Sequence, residues 1–132
     1  MLVDTSVWID YFNGGESKET NTLDTALTDG TVAIGDMILL EILQGFRNDK
    51  DYNRAKKTLA TLDQYEMFSH TMVIKCADNY RVLRKKGITI RKTTDLIIAT
   101  FCIDNQFPLL FSDRDFMPFV KHLNLVSALN ET

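Results

Sequence analysis

Residues 1–12 read MLVDTSVWIDYF and carry the features that decide the fold. Leu2 and Val3 are typical of a short buried strand, and Asp4 follows them directly. Residues 6–12 are typical of a helix that ends at the Asn-Gly-Gly turn of residues 13–15. A carboxylate between a buried strand and a helix is either a helix cap or part of an acidic site. The remaining sequence has to distinguish these two interpretations.

Short apolar strands alternate with helices along the whole chain. Strands are predicted at residues 1–4 and 108–112, and the segment 29–35 predicts a turn followed by a strand that ends at Gly35. A further short strand is predicted at 66–69, and the segment 124–129 predicts the beginning of a last strand. Helices are predicted at residues 6–12, 18–29, 37–47, 51–65, 71–86, 94–105 and 115–121. This order predicts an α/β fold, a three-layer α/β/α sandwich with a central parallel sheet. We expect one domain over residues 1–132.

The composition is that of an ordinary soluble protein, with 45% hydrophobic and 25% charged residues. Its apolar runs are too short to span a membrane, and its start lacks the pattern of a signal peptide, so we expect a cytoplasmic protein without membrane contact. A formal net charge of −3 argues weakly against nucleic-acid binding. That argument fails if several of the 18 acidic residues hold a metal, because the cation neutralises them.

Three aspartates are predicted at one edge of the sheet. Asp4 follows the first strand, and Asp113 follows the strand at 108–112. Asp95 lies at the start of a helix for which Thr93 or Thr94 is the expected N-cap. That helix runs about 18 Å away from the edge. The next strand returns about 15 Å, which brings Asp113 back near Asp95.

Glu41 is the fourth acid, in the segment GDMILLEILQGF of residues 35–46. Apolar residues flank it on both sides, so an unpaired carboxylate would be poorly solvated there. Taken singly, each of the four acids is more readily explained as a cap or a surface residue. Taken together they form a constellation of hard oxygen ligands that suits Mg²⁺ or Mn²⁺.

The motifs of several other chemistries are absent from the sequence. No Ser-His or Cys-His pair is evident, and neither a G-x-x-x-x-G-K-[ST] nor a G-x-G-x-x-G segment is present. A metal held by carboxylates favours phosphodiester hydrolysis, because it acidifies water and stabilises charge on a phosphate. Thr5 and Ser6 are placed to hydrogen-bond a ligand carboxylate or a metal-bound water.

Four segments resemble the PIN-domain ribonucleases, and most of all the VapC toxins of bacterial toxin–antitoxin pairs. The segments are LVDTSVWIDYF, the E-x-x-x-G of residues 41–45, TTDLIIAT and LLFSDRDF. Their order and spacing cover essentially the whole chain. One departure from the family concerns Asp36, which is the expected cap of the helix carrying Glu41, where the family often has a hydroxyl residue.

The resemblance implies a PIN fold with Mg²⁺ or Mn²⁺ in an acidic pocket. The residues carried over are Asp4, Glu41, Asp95 and Asp113, with Asp115 able to share or replace the role of Asp113. The resemblance also implies an endoribonuclease that cuts structured RNA such as tRNA or rRNA. It further implies a homodimer, and inhibition by a VapB-type antitoxin whose C-terminal segment covers the pocket.

The sequence also suggests surfaces for these partners. Arg91, Lys92 and Arg114 flank the predicted site and are the expected RNA-binding residues. The aromatic residues at positions 8, 11 and 12 either pack in the core or form a groove for an antitoxin helix, and the sequence leaves both open.

Two other functional classes fit an α/β sandwich of this kind, and the sequence disfavours both. A non-catalytic metal- or RNA-binding module on the same scaffold is disfavoured because all four acids are present. A phosphoacceptor receiver domain is also a parallel α/β sandwich, but it needs an acidic pair beside the first strand, which this sequence lacks.

Overall fold

The structure, a computed structural model, describes residues 1–129 and is organised around four short parallel strands. They are β1 (Leu2–Val3), β2 (Ala33–Gly35), β3 (Asp63–Tyr65) and β4 (Leu109–Leu110). Their order across the sheet is β3-β2-β1-β4. The predicted domain extends to residue 132, and its last three positions lie outside the described residues.

Seven α-helices and one short 3₁₀ helix are present in residues 1–129. They are α1 (Thr5–Phe12), α2 (Lys18–Asp29), α3 (Asp36–Gln44), α4 (Asp49–Leu59), α5 (His70–Lys85), α6 (Thr93–Asn105), the 3₁₀ helix (Arg114–Phe116) and α7 (Met117–Leu123). Helix α1 packs on α2 and α3, and α3 packs on α4, whereas α5 packs on α6 and α7. Right-handed crossovers in this strand order place the first group on one face of the sheet and the second on the other. The predicted α/β/α sandwich is confirmed.

Strand β1 lies where the chain reverses its direction across the sheet. The connections from β1 to β2 and on to β3 proceed to one side, and β4 then pairs with the other side of β1. The backbone N–H of Asp4 donates to the carbonyl of Leu110 at 2.8 Å, which ties the ends of β1 and β4 together. In open parallel sheets this switch point, at the carboxyl ends of the strands, is where ligands bind.

Helix α6 runs through the core. Every residue from 95 to 102 is buried, so this part of the helix has no exposed face. On the same side of the molecule Phe116 and Phe119 are fully buried. This packing holds the start of α6 and the segment after β4 in fixed positions beside the sheet edge.

Several predicted boundaries are corrected by the structure. The third strand is Asp63–Tyr65 rather than 66–69, and α4 ends at Leu59 rather than at residue 65. All three residues of β3 are exposed, so the strand has no apolar pattern that a sequence could reveal. The segment 124–129 forms only a single bridge, between Leu109 and Ser127.

The inward face of α5 also differs from the prediction. The spacing of Val73, Ala77, Tyr80 and Leu83 in the sequence predicts that these four residues face the core. Instead Met72 and Cys76 are buried, and Val73 is 41% exposed. Leu83 is buried as expected. Among residues 1–129, every helix is too short or too polar to cross a bilayer.

Candidate metal-binding active site

Asp4 follows β1 directly, as predicted, and occupies the N-cap position of α1. Its carboxylate makes no capping hydrogen bond and instead accepts one from the hydroxyl of Ser6 at 2.8 Å. The residue is only 6% exposed. Burial raises the pKa of Asp4, the Ser6 hydrogen bond opposes this, and the negative charge of Glu41 adds to the increase. Asp4 is therefore a buried carboxylate, and the nearby negative charge of Glu41 opposes its ionisation.

Glu41 lies on α3, across from the first turn of α1. Its Oε1 accepts a hydrogen bond from the Thr5 hydroxyl at 2.8 Å. Thr5 and Ser6 therefore each donate to one of the predicted acids, as their positions in the sequence suggested. Their hydrogen bonds fix the orientation of the Asp4 and Glu41 carboxylates.

Asp95 lies in the first turn of α6 and is 8% exposed. Its pKa is raised to about 6, first by burial and then by the negative charge of Asp4. The charges of Asp113 and Asp115 raise it further, whereas Lys92 lowers it. The helix begins one residue earlier than predicted, and its N-cap is Lys92 rather than a threonine.

Asp113 and Asp115 meet Asp95 beside the end of β4. One carboxylate oxygen from each of the three residues lies within 4.8 Å of the other two. Asp113 also caps the 3₁₀ helix by accepting from the backbone N–H of Asp115 at 2.9 Å, so the cap interpretation of this residue holds as well. It follows β4 after two intervening residues rather than directly.

A model of the PIN domain matches residues 1–119 of the chain. The chain belongs to the PIN-domain family. Relatives of this PIN domain include the VapC ribonuclease Mb1587 of Mycobacterium bovis and the ribonuclease VapC11 of Mycobacterium tuberculosis. Each is 26% identical over 130 residues, and the match covers 97% of both chains.

Two solved structures share the fold of this PIN domain. One is VapBC2 from Rickettsia felis bound to a DNA fragment from its promoter, with a TM-score of 0.75. The other is a toxin–antitoxin complex from Klebsiella pneumoniae, with a TM-score of 0.68. Both are 20% identical and cover 96% of this chain and 95% of the matched chain.

The donor set of this PIN domain fits a hard divalent cation. The three grouped side chains offer only carboxylate oxygens, which Mg²⁺ and Mn²⁺ prefer. Burial is the largest cause of the raised pKa of Asp95, and the negative charges of Asp4, Asp113 and Asp115 add to it. A divalent cation would neutralise these negative charges. Asp36, the predicted N-cap of α3, is instead the first residue of the helix, and Gly35 occupies the N-cap position. The Asp36 Oδ1 accepts from the backbone N–H groups of Met37 at 2.7 Å and Met67 at 3.1 Å.

The predicted RNA-binding residues all lie beside these acids and are exposed. The Lys92 Nζ is 3.8 Å from Asp113 Oδ2. Arg91 and Arg114 line a pocket of about 120 Å³ that also includes Asp95 and Asp115. The other lining residues of this pocket are Thr89, Ile90 and Pro118. Sequence reasoning missed these three, because no motif marks them and only the packing of α7 against the loop before α6 brings them together.

The aromatic residues of α1 have different environments. Trp8 is fully buried and stacks on Phe12 at a centroid distance of 5.8 Å, so its role is core packing. Tyr11 and Phe12 are half-buried, and the Tyr11 hydroxyl donates to Asp24 at 2.9 Å. Phe12 also packs edge-on against Phe46 of the segment after α3.

Proposed function

We propose that this PIN domain is a metal-dependent endoribonuclease and the toxin of a VapBC-type toxin–antitoxin module. The observation that carries the proposal is the convergence of Asp95, Asp113 and Asp115 at the switch point of the sheet, beside buried Asp4. The names of the relatives support the same activity, since both are ribonucleases of the VapC type. The reaction is hydrolysis of an RNA phosphodiester bond.

In this proposal the acidic residues of the site hold Mg²⁺ or Mn²⁺ together. Asp95, Asp113 and Asp115 are close enough to share one ion, and Asp4 and Glu41 complete the acidic pocket. Ser6 and Thr5 orient Asp4 and Glu41 through their hydroxyls. When bound, the cation supplies acidification of water and stabilisation of negative charge on the phosphate.

Arg91, Lys92 and Arg114 bind the RNA backbone in this proposal. Their exposure and their position around the acids support it, because cations there meet the phosphates that flank the cleavage point. The substrate class is structured RNA such as tRNA or rRNA. Reversing the charges of Arg91 and Lys92 should weaken RNA binding and reduce its salt dependence. If the variant cleaves RNA as wild type does, with the same dependence on salt concentration, Arg91 and Lys92 do not bind the RNA.

A VapB-type antitoxin is the proposed partner of the toxin, which would act in the cytoplasm as a homodimer. The toxin–antitoxin complexes among the structural neighbours support the partner. Exposed apolar side chains on the contacting helices α1 and α3 also support it, because Ile9 is 39% and Leu40 is 61% exposed. An amphipathic helix binds such a face through apolar anchors. Co-expression with a VapB-type antitoxin tests for the toxin–antitoxin complex. Light scattering then gives the molar masses of the free and bound forms and tests for the homodimer.

Cleavage of RNA by matched variants tests the enzymatic proposal. Wild type, Asp4→Asn, Asp95→Asn and the exposed control Asp78→Asn are incubated with RNA and with Mg²⁺, Mn²⁺ or EDTA. We expect cleavage by wild type and Asp78→Asn in either metal, and a loss of at least about 100-fold in the two site variants. Equal cleavage by all four proteins, or cleavage in EDTA, would refute the proposal. RNA binding without cleavage by wild type would favour the non-catalytic module.

A further inference from the structure

The pocket beside the acids has a mixed lining that the metal site alone does not explain. Two guanidinium groups, Arg91 and Arg114, line the same volume of about 120 Å³ as Asp95 and Asp115. Neither arginine forms an ion pair within residues 1–129, although carboxylates are close by. Their N–H donors are therefore available to a ligand.

The size and chemistry of the pocket favour a single phosphate group. Pockets that enclose a whole drug-sized ligand are roughly 300–1,000 Å³, so this one admits only part of a nucleotide. The planar guanidinium group of an arginine can donate two parallel hydrogen bonds to two oxygens of one phosphate. Lys92 contacts Asp113 and does not line the pocket, so the basic residues are divided between two places around the acids.

The charge balance of the pocket depends on the cation. Without metal, the negative charges of Asp95 and Asp115 offset the positive charges of the two arginines, so the pocket attracts a phosphate only weakly. A divalent cation on those carboxylates leaves the arginine charges uncompensated. An anion would then be attracted by both the cation and the arginines.

We propose that this pocket receives the RNA phosphate next to the scissile one, and that it does so only when a divalent cation occupies the acids. The inference rests on the proposed function and deepens it, since it assigns Arg91 and Arg114 a task distinct from that of Lys92. The scissile phosphate lies at the acids, and the adjacent phosphate lies in the pocket. Because coupling between two ligands is reciprocal, the phosphates also raise the affinity for the cation by the same factor.

A nucleoside 3′,5′-bisphosphate is the probe, because it carries two adjacent phosphates and no internucleotide bond to cleave. Calorimetry compares it with the nucleoside 5′-monophosphate and 3′-monophosphate, in Mg²⁺ and in EDTA at matched ionic strength. In Mg²⁺ we expect wild type to bind the bisphosphate at least about tenfold more tightly than either monophosphate. In EDTA the preference should disappear. A Mg²⁺ titration with and without bisphosphate should show the reciprocal gain.

The variants separate the pocket from the metal site. Arg91→Ala and Arg114→Ala should lose most of the preference for the bisphosphate over the monophosphates while still binding Mg²⁺ in the absence of phosphate. Arg54→Ala, an exposed arginine on α4, is the matched control and should behave as wild type. An absent preference in wild type, a preference that persists in EDTA, or variants indistinguishable from Arg54→Ala would each overturn the inference.

The RNA cleavage assay keeps the two proposals distinguishable. If Mg²⁺-dependent cleavage is present and the bisphosphate preference is absent, the nuclease assignment stands and the pocket assignment is wrong. If cleavage itself is absent, the nuclease assignment fails independently of how the bisphosphate binds.

Discussion

Asp95 is the residue on which burial and like charges act together. Its carboxylate is 8% exposed, and Asp4, Asp113 and Asp115 all oppose its ionisation. The pKa of about 6 lies well above the ordinary value of 3.8. The folded protein without metal therefore holds a proton on Asp95 that the unfolded chain releases more easily.

The first prediction concerns the stability of the metal-free protein. Because the folded pKa of Asp95 is raised, its contribution to stability is fully present below about pH 4 and is lost as the pH rises through about 6. Asp95→Asn should therefore match wild type near pH 4 and exceed it by about 1–3 kcal/mol above pH 6.5. Urea denaturation in EDTA measures this difference. The exposed control Asp78→Asn should show no such pH-dependent gain, and a gain for Asp95→Asn that is equal at both pH values would contradict the assignment.

Thr5 gives the second prediction at this scale. Its hydroxyl donates to Glu41 at 2.8 Å, so Thr5→Val keeps the shape of the side chain and removes the donor. We expect a loss of roughly 10–100-fold in Mg²⁺ affinity or RNA cleavage, as is usual when a ligand loses its orienting partner. Thr5→Ser retains the hydroxyl and should stay close to wild type. If valine and serine at this position behave alike, the hydrogen bond has no functional role.

At the scale of elements, Gly35 allows β2 and the segment after β3 to approach each other. A Cβ at this position would lie 2.0 Å from the Sδ of Met67, which is 1% exposed. The backbone of Gly35 has φ −93°, which any residue adopts, so the requirement for glycine is one of space alone. Asp36 reinforces the same junction by accepting from the backbone N–H of Met67.

The third prediction follows from this close approach. Gly35→Ala should lower the free energy of unfolding by about 1–3 kcal/mol through overpacking. Adding Met67→Ala should relieve the clash, so the double variant should lose less than the sum of the two single variants. Denaturant unfolding of wild type, the two single variants and the double variant gives the four free energies of unfolding that this double-mutant cycle needs. Gly45→Ala is the control, since its Cβ would be 3.4 Å from the nearest atom, and additive losses at Gly35 and Met67 would refute the packing argument.

The elements that the sequence predicted well are those with an uninterrupted apolar signal. Strand β1 and the buried helix α6 are both of this kind, and both were found. Strand β3 was placed wrongly because it reads Asp-Gln-Tyr and is exposed. On α5, apolar residues lie on more than one face, with Ile74 55% exposed, so periodicity alone did not distinguish the face that packs on α6.

At the scale of the whole molecule, the sequence predicted the edge of the sheet where the acids meet. Chain geometry brought Asp113 back to Asp95, and the structure places their carboxylates together. The family resemblance already suggested Asp115, and the structure adds the turn, capped by Asp113, that brings its carboxylate to the other two. The pocket behind it depends on the contact between distant segments, so no local pattern could have predicted it.

The fourth prediction is that a divalent cation stabilises the whole domain. A ligand that binds only the folded state adds about 2.7 kcal/mol when its concentration is a hundred times its Kd. Mg²⁺ or Mn²⁺ should therefore raise the melting temperature of wild type at constant ionic strength, measured by thermal denaturation. Asp78→Asn should show the same increase, whereas Asp95→Asn should show little of it. An equal increase in Asp95→Asn would place the binding of the cation elsewhere.

Trp8, the single tryptophan of the chain, lies one helical turn after Asp4 in a fully buried position. Its indole N–H has no hydrogen-bond partner among residues 1–129. A buried indole emits at shorter wavelength than one in contact with water, so unfolding should move the emission of Trp8 to longer wavelength. Trp8 lies on α1, the helix that begins at the acidic pocket. The unfolding of the domain can therefore be followed by the fluorescence of Trp8 without any added label.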